Sequence, residues 1–221
     1  MAFGPIMRLS AGEIQIELAP LSREDMPRFI NPGMQEYAVT KYLTATAKVL
    51  EDEYEWYEKV RNDTTSIVWG IWVIKGDDRT IIGTSALNDI KLNQTRQATS
   101  GSMIFDQDYW GKGIAKHIHM ARTWYAFQHM GLQRVKSAVI QGNVASLKAL
   151  QRSGYELVYV ERNDVFVDGQ LRHLDMLECI NPADSAWLQW WHGDTPPKKN
   201  RDACARTEAV MQWASENVKL S

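Results

Sequence analysis

Two glycines and two lysines lie close together in a seven-residue segment, Trp110 to Lys116, whose composition suits anion binding. A strand pattern precedes the segment and a helical pattern follows it, so it forms the turn between them. The free N–H groups of a first helical turn and the positive end of its dipole attract phosphate. Gly111 and Gly113 let the backbone approach such a group, and Lys112 and Lys116 add charge. We therefore expect a pyrophosphate site.

Two familiar phosphate loops do not fit this segment. The Walker pattern requires Ser or Thr after Gly-Lys, whereas Gly111-Lys112 is followed by Gly113. The dinucleotide fingerprint needs a third glycine where Lys116 stands. On these residues alone, a tight strand-to-helix turn without a ligand remains the alternative.

The elements that position the loop follow from hydrophobic periodicity and turn chemistry. Strands are predicted at Glu13–Leu18, Ser66–Lys75, Thr80–Leu87, Thr99–Phe105, Val135–Val139, Tyr155–Val167 and Gln170–Glu178. Helices are predicted from Ser22, over Val49–Val60, from Ile114 to Gly131, from the N-cap Asn143 to Gly154, and over Asp202–Val218. Gly76-Asp77-Asp78 and Asp168-Gly169 are predicted turns. The chain is therefore α/β, with the glycine loop opening its central helix.

Composition limits the partners. With 221 residues, a net charge of −2 and no apolar run of membrane-spanning length, we expect a cytoplasmic protein that binds neither nucleic acid nor membranes. Two cysteines without ligand spacing predict neither a disulfide framework nor a metal site. The residues after Ile180 differ in character, with Trp187, Trp190 and Trp191 clustered before Pro196-Pro197-Lys198-Lys199, which we expect to break the chain. The Trp cluster is expected to be buried against the domain.

The loop and a second segment together resemble a known family. Tyr109 to Ala115 is followed, 28 residues after Ala115, by the segment Asn143 to Tyr155, and the pair resembles motifs A and B of the GNAT acetyltransferase superfamily. Gly113 and Ala115 match the end of the first motif, while Trp110 replaces its usual Gln or Arg. That replacement, Glu55-Trp56 and the Asp168-Gly169 turn are similar to the branch of ribosomal-protein N-alpha-acetyltransferases, over Ile14 to Glu178.

The resemblance implies a mixed, mostly antiparallel twisted sheet, splayed between its fourth and fifth strands, with flanking helices and acetyl-CoA in the splay. Residues 1–180 would form this domain and 181–221 a Trp-rich helical extension packed on it, in a monomer or homodimer. No metal is implied. The residues implied to bind acetyl-CoA are Phe105, Trp110, Gly111, Lys112, Gly113, Ile114, Ala115, Lys116 and Asn143.

The catalytic groups are less well marked. The superfamily's usual tyrosine acid, seven residues after the asparagine, is replaced by Leu150. Ser146 is similar to the serine proposed as thiolate protonator in the ribosomal branch, although it is also an ordinary first-turn serine. Asp89 and Asp106, which follow the third and fourth strands of the family's count, and Asp164, in the late ribbon, are candidate bases, although each is also an ordinary solvated carboxylate. His117 and His119 are expected on the flank of the helix and out of the chemistry.

The acceptor is expected to be an amine. Carboxylates outnumber cations between Val49 and Asp63, which suits a polycation such as an aminoglycoside or polyamine, although a solvated helix has the same composition. Glu55, Trp72 and Asp164 are candidate substrate-binding residues. The alternatives are acetylation of a protein N-terminus, a non-catalytic acyl-CoA-binding module and, less favoured, a nucleotide-binding regulator.

Overall fold

The computed structural model of this chain describes residues 2–43, 49–183, 187, 190–191 and 193–221. The chain divides into two compact units. Unit 1 takes the described residues of Met1–Asp89, Gly101–Ile114 and Val218–Ser221. Unit 2 takes those of Ile90–Ser100 and Ala115–Asn217.

The described residues form strands and helices in the alternation that the sequence predicts. The strands are β1 Met7–Ala11, β2 Ile14–Ala19, β3 Ile67–Lys75, β4 Asp78–Lys91, β5 Gln97–Ile104, β6 Arg134–Ile140, β7 Glu156–Val167, β8 Gln170–Ile180 and β9 Lys219–Leu220. The α-helices are α1 Met26–Arg28, α2 Tyr37–Thr40, α3 Leu50–Asn62, α4 Ile114–Trp124, α5 Val144–Gln151 and α6 Lys198–Asn217. The predicted mixed, mostly antiparallel sheet with flanking helices is confirmed.

Unit 1 is built on an antiparallel meander. Strand β9 pairs with β1, β1 with β2, β2 with β3, and β3 with β4. The β3–β4 hairpin turns through Gly76-Asp77, with Lys75 opposite Asp78, and Gly76 takes the positive φ of +60° that such a turn requires. Helices α1 and α3 pack together, and buried Met26, Phe29, Val60, Trp72 and Phe105 share one core cluster.

Unit 2 combines a parallel and an antiparallel ladder. Strand β6 pairs with β5 in parallel over three residue pairs, Gln97–Thr99 with Arg134–Lys136, and this ladder ends there. On its other side β6 pairs antiparallel with β8, which pairs with β7. The β7–β8 hairpin turns at Asp168-Gly169, both with positive φ, as predicted.

The C-terminal helix α6 packs closely on unit 2. Gly154 has a φ of +91°, and a Cβ atom there would lie 2.2 Å from Thr207 Oγ1, so only glycine permits this approach. Thr207 Oγ1 also lies 3.4 Å from the Sγ of buried Cys179, while Asn200 donates to Glu156. Burial raises the pKa of the Cys179 thiol to about 12, which keeps it protonated and unreactive.

Three expectations need correction. Strand β1 was not predicted, because it has only five residues; the alternation of Met7, Leu9 and Ala11 with Arg8 and Ser10, and the turn at Gly12-Glu13, could have indicated it. Helix α6 begins at Lys198, so Lys198 and Lys199 start a helix after Pro197 where a chain break was expected. Trp190 is 37% exposed, with the Arg134 guanidinium 4.7 Å above its ring, and is not buried as expected.

Candidate active site

The glycine loop takes the backbone conformation that its composition predicts. Gly111 and Gly113 have φ values of +74° and +78°, which side-chain-bearing residues rarely adopt. A Cβ atom at Gly111 would meet nothing within 4 Å, so open space lies beside the backbone. Helix α4 begins directly afterwards at Ile114, which is buried and anchors the first turn. An exposed loop of this shape at the start of an 11-residue helix fits a phosphate group.

Trp110 folds back on the strand before the loop. Its indole Nε1 donates a hydrogen bond to the Ile104 carbonyl at 2.8 Å, although the side chain is 42% exposed. The indole thereby satisfies the last carbonyl of β5 and fixes the direction in which the chain enters the loop. Trp110 therefore positions the loop, whatever contact it makes with a ligand.

Lys75, which sequence reasoning missed, adds a second lysine beside Lys112 at the glycine loop in unit 1. The Nζ atoms of Lys75 and Lys112 lie 5.5 and 5.3 Å from the centre of the Tyr109 ring. Neither lysine has a carboxylate within 4 Å in the described part of the chain. Lys75 lies 34 residues before Tyr109 in the sequence, so no local pattern links them. The two lysines add positive potential next to the glycine loop.

Phe105 and Asp106, just before the loop, already make hydrogen bonds within the protein that were not expected. Phe105 is fully buried against Phe29, and its N–H donates to the Ile82 carbonyl at 2.9 Å. That N–H is therefore not available to an added strand or a pantetheine arm. The Asp106 carboxylate accepts a hydrogen bond from the Asp108 N–H at 3.1 Å and caps a short turn.

Asp89, unlike Asp106, does not cap a turn. It lies within β4, is exposed, and has a φ of +50°. Aspartate tolerates this conformation better than most residues, but it still costs about 1 kcal/mol or more. Strained backbone of this kind often aims a functional side chain.

The start of α5 in unit 2 places Asn143 and Ser146 together. Asn143 Oδ1 accepts a hydrogen bond from the Ser146 N–H at 3.2 Å, so the predicted N-cap is confirmed. The Asn143 amide NH2 and the Ser146 hydroxyl have no hydrogen-bond partner in the described residues. Two donors are thus left beside a satisfied cap, which suits contact with an amide-rich arm and protonation of a thiolate.

The predicted acceptor residues lie apart. Glu55 is exposed on α3, and Asp164 is exposed on β7. Trp72 is only 2% exposed, because the Arg79 guanidinium covers its ring at 3.8 Å, so it offers a ligand little area. It nevertheless borders an open groove of about 440 Å³ in unit 1, which we call the Trp72 groove. The groove is lined by Glu24, Asp25, Arg28, Trp72, Arg79, Thr80 and Ile81.

Helix α4 is polar in its buried middle. His119 and Arg122 are buried, and Arg122 Nη2 lies 3.0 Å from His119 Nδ1. Burial and the Arg122 charge hold the pKa of His119 well below its usual value, so it is neutral and accepts that hydrogen bond. The Tyr155 hydroxyl lies 3.1 Å from Thr123 Oγ1 in the same interior. His119 was expected on the helix flank; it is part of the core.

Metal sites and membrane-spanning helices have recognisable patterns of residues. No group of three or more His, Cys, Asp or Glu residues suited to a metal ion occurs in the described ranges. No described helix is long and apolar enough to cross a membrane.

A strand, a positive-φ glycine loop and a helix, followed by an Asn-capped helix, are the features that the resemblance to acetyl-CoA-dependent acetyltransferases implies. Comparison with known families agrees with this class. The profile of the acetyltransferase (GNAT) domain matches residues 15–156. The chain belongs to this family, and it is an acetyl-CoA-dependent N-acetyltransferase. The expectation of an enzyme is confirmed over the non-catalytic alternative.

Individual relatives are similar over much of the chain. A probable N-acetyltransferase of Bacillus subtilis, YjcK, is 28% identical over 130 residues, which are 59% of this chain and 70% of that protein. The crystal structure of spermidine N-acetyltransferase from Vibrio cholerae with CoA and spermine matches 78% of this chain and 98% of that one, at 18% identity and a TM-score of 0.67. Mycobacterium smegmatis RimJ in complex with CoA-disulfide matches 99% and 96%, at 16% identity and a TM-score of 0.68. These structures share the fold.

Proposed function

We propose that this enzyme transfers the acetyl group of acetyl-CoA to a primary amine of a small polycation, such as an aminoglycoside or a polyamine. The acidic surface of α3 carries this proposal. Glu51, Asp52 and Glu55 are exposed on the helix, and none of them pairs with a described lysine or arginine. Uncompensated carboxylates in a row attract a ligand with several spaced ammonium groups.

The segment just before α1 adds a carboxylate near α3. The two helices pack together, and the Arg23 guanidinium lies 3.9 Å above the Tyr54 ring. Glu24 lies next in the chain and lines the Trp72 groove. Hydrogen bonds from its own backbone N–H and from Ser22 lower the pKa of Glu24, so it is charged at neutral pH. A polycation bound along α3 would therefore find a further carboxylate in a groove of ligand size.

The proposed chemistry assigns roles to the glycine loop, Asn143, Ser146 and one of the two candidate bases. The backbone of Gly111 to Lys116 binds the pyrophosphate, and the Asn143 amide donates to the pantetheine arm. The amine nitrogen attacks the thioester carbonyl, the C–S bond breaks, and the ammonium proton passes to a carboxylate. Asp89 is the better base, because Asp106 is occupied as a cap. The Ser146 hydroxyl supplies a proton to the departing thiolate.

The comparisons support this choice without deciding it. A spermidine N-acetyltransferase of the same fold has been solved with spermine, a polycation. Acetylation of a protein N-terminus is the second candidate, because the sequence resembles the ribosomal-protein N-alpha-acetyltransferase branch; RimJ, which has the same fold, matches 99% of this chain.

A parallel acetyl-transfer screen tests the proposal. CoA thiol release is measured with aminoglycosides, polyamines, monoamines and N-terminal peptides at equal concentration. We expect kcat/KM to be highest for a polycation and to fall as salt rises. Activity with peptides alone would refute the polycation acceptor and support the second candidate.

Matched variants locate the acceptor surface. The double variant Glu51→Gln, Glu55→Gln should raise KM for the polycation about tenfold, or about 1.4 kcal/mol, and leave KM for acetyl-CoA unchanged. The control is Glu216→Gln, an equally exposed change on α6. An equal effect of both changes would exclude α3 as the acceptor surface.

A further inference from the structure

Strand β7 of unit 2 is interrupted opposite a single histidine. Its regular pairing with β8 breaks between Glu161 and Val165, where residues 162–164 lie opposite His173 alone. We call residues 162–164 the β7 bulge. Its middle residue, Asn163, has a φ of +53°, a conformation that asparagine tolerates better than most residues. Irregularities of this kind often redirect a side chain next to an active site.

The His173 imidazole holds the β7 bulge through one hydrogen bond. The Asn163 N–H donates to the imidazole Nδ1 at 3.1 Å. Nδ1 accepts this bond in the tautomer that carries its hydrogen on Nε2. The bond is exposed, so water could satisfy the same N–H if the imidazole were absent. The imidazole therefore adds little to stability, but it selects one orientation of the bulge.

The β7 bulge carries a carboxylate that no described residue uses. Asp164 is exposed, and it makes no hydrogen bond or ion pair within the described ranges. It is one of the predicted acceptor-side residues, and a carboxylate pairs well with the ammonium group of an amine. Because Asp164 directly follows Asn163, a bond that fixes the Asn163 peptide also limits the directions in which the Asp164 carboxylate can point.

His173 also contacts the turn that leads to Asn143. The Gln141 N–H donates to the His173 carbonyl at 2.8 Å, and the His173 N–H donates to Gln141 Oε1 at 3.4 Å. Gly142 follows with a φ of +102°, and Asn143 then caps α5. One residue therefore contacts both the β7 bulge and the turn before the predicted pantetheine contact.

We propose that His173 is a positioning residue for the acetyl transfer. Its imidazole orients the β7 bulge so that Asp164 pairs with the ammonium group of the acceptor, while its backbone holds the turn before Asn143. The proposal rests on the proposed function, because it takes Asp164 as an acceptor-binding residue. His173 itself acts only through Asp164 and touches neither substrate.

Two variants separate the hydrogen bond from the rest of the ring. His173→Asn keeps an acceptor in place, because Oδ1 and Nδ1 are both bonded to Cγ, whereas His173→Leu has none. Exchange of the Asn163 amide with solvent hydrogen, followed by NMR in the full chain, should speed up about tenfold in His173→Leu. It should stay near the wild-type rate in His173→Asn. Equal rates in wild type and His173→Leu would overturn the proposal.

Kinetics test the link to Asp164, with spermine or the polycation of highest kcat/KM in the screen as acceptor. His173→Leu should raise KM for the amine about tenfold and leave KM for acetyl-CoA unchanged, while His173→Asn should stay near wild type. Asp164→Asn should raise the same KM, and adding His173→Leu should raise it no further, because one residue acts through the other.

Independent increases in the double variant would overturn the positioning role. A wild type that acetylates no amine would instead refute the proposed function. The two failures are distinguishable, because amide exchange at Asn163 is measured without an acceptor.

Discussion

Helices α4 and α5 both begin near predicted cofactor-binding residues, yet they begin in different ways. Helix α5 satisfies its first turn with its own side chain, because Asn143 Oδ1 accepts the Ser146 N–H. Helix α4 follows Gly111 and Gly113, which have no side chain to offer, and positive φ values keep the loop in an open shape. The start of α5 is therefore complete without a ligand, while the start of α4 is shaped to receive one.

The difference separates two kinds of binding residue. In the proposed site, the backbone and the helix dipole at the start of α4 would bind the pyrophosphate, and the lysines would supply charge without fixed geometry. At α5, individual side-chain atoms would act, namely the Asn143 NH2 and the Ser146 hydroxyl. Substitutions at the start of α4 should therefore change cofactor affinity through their charge. Substitutions at the start of α5 should change binding or catalysis through the loss of a single donor group.

The largest expected effect is at the glycine loop. Gly113→Glu places a negative charge beside the pyrophosphate, and two like charges about 5 Å apart repel by about 3 kcal/mol at an effective dielectric constant of 20. Acetyl-CoA binding measured by calorimetry should weaken more than about 100-fold. The control Gly113→Ala shares the backbone strain without the charge, so it should bind more tightly than Gly113→Glu. If the two variants bind acetyl-CoA with equal affinity, the pyrophosphate does not bind at this loop.

The next effect is on the chemical step. Ser146→Ala should lower kcat about 100-fold, the lower end for loss of a general acid, with little change in KM for acetyl-CoA. Fold stability should not change, because the hydroxyl has no described partner. The control Ser153→Ala removes a hydroxyl that donates to the Ala149 carbonyl at 2.9 Å, and should lower stability by about 1 kcal/mol while kcat stays constant. An unchanged kcat in Ser146→Ala would exclude the acid role.

A pH titration tests whether His119, in the buried middle of α4, is neutral. The folded pKa of His119 is lowered from 6.5, so below about pH 6.5 the unfolded chain binds a proton that the folded chain does not. Folding stability should then fall as pH drops below about 6.5. In urea unfolding, His119→Gln should lack this fall in the free energy of unfolding at low pH. Near pH 8, His119 should add no pH dependence to the stability of either protein. An identical acid slope in the two proteins would contradict a buried neutral His119.

The smallest effect distinguishes the two roles of Asn143. Asn143→Asp keeps the oxygen that caps α5 but removes the NH2 donor, so stability should be retained while KM for acetyl-CoA rises about tenfold. Asn143→Ala should lose both the capping oxygen and the NH2 donor, so it should also lower stability by about 1 kcal/mol. If Asn143→Asp keeps the wild-type KM, the residue is a cap alone.

Local chemistry explains what the sequence predicts well. Gly111, Asn143, Gly154 and Asp168-Gly169 each need a specific backbone conformation or a specific hydrogen bond, and these needs are met within a few residues. The strand, loop and helix order follows from them and from hydrophobic periodicity.

Contacts between distant residues explain what the sequence misses. Which elements pack together decides three features that were missed. They are the cation–π contacts of Lys75 and Lys112 with Tyr109, the cation–π contact of Arg79 with Trp72, and the burial of His119. The hydrogen bond from the Phe105 N–H to the Ile82 carbonyl likewise depends on strand pairing. No spacing rule within one segment reports such contacts.

The central claim is that the loop before α4 holds acetyl-CoA through its backbone. Its most direct test is a titration of the ¹⁵N-labelled protein with acetyl-CoA, following the backbone amide resonances of Gly111, Gly113 and Ile114. We predict that these amides shift and saturate at the concentration that saturates binding by calorimetry. Amides that stay fixed while acetyl-CoA binds would contradict the claim.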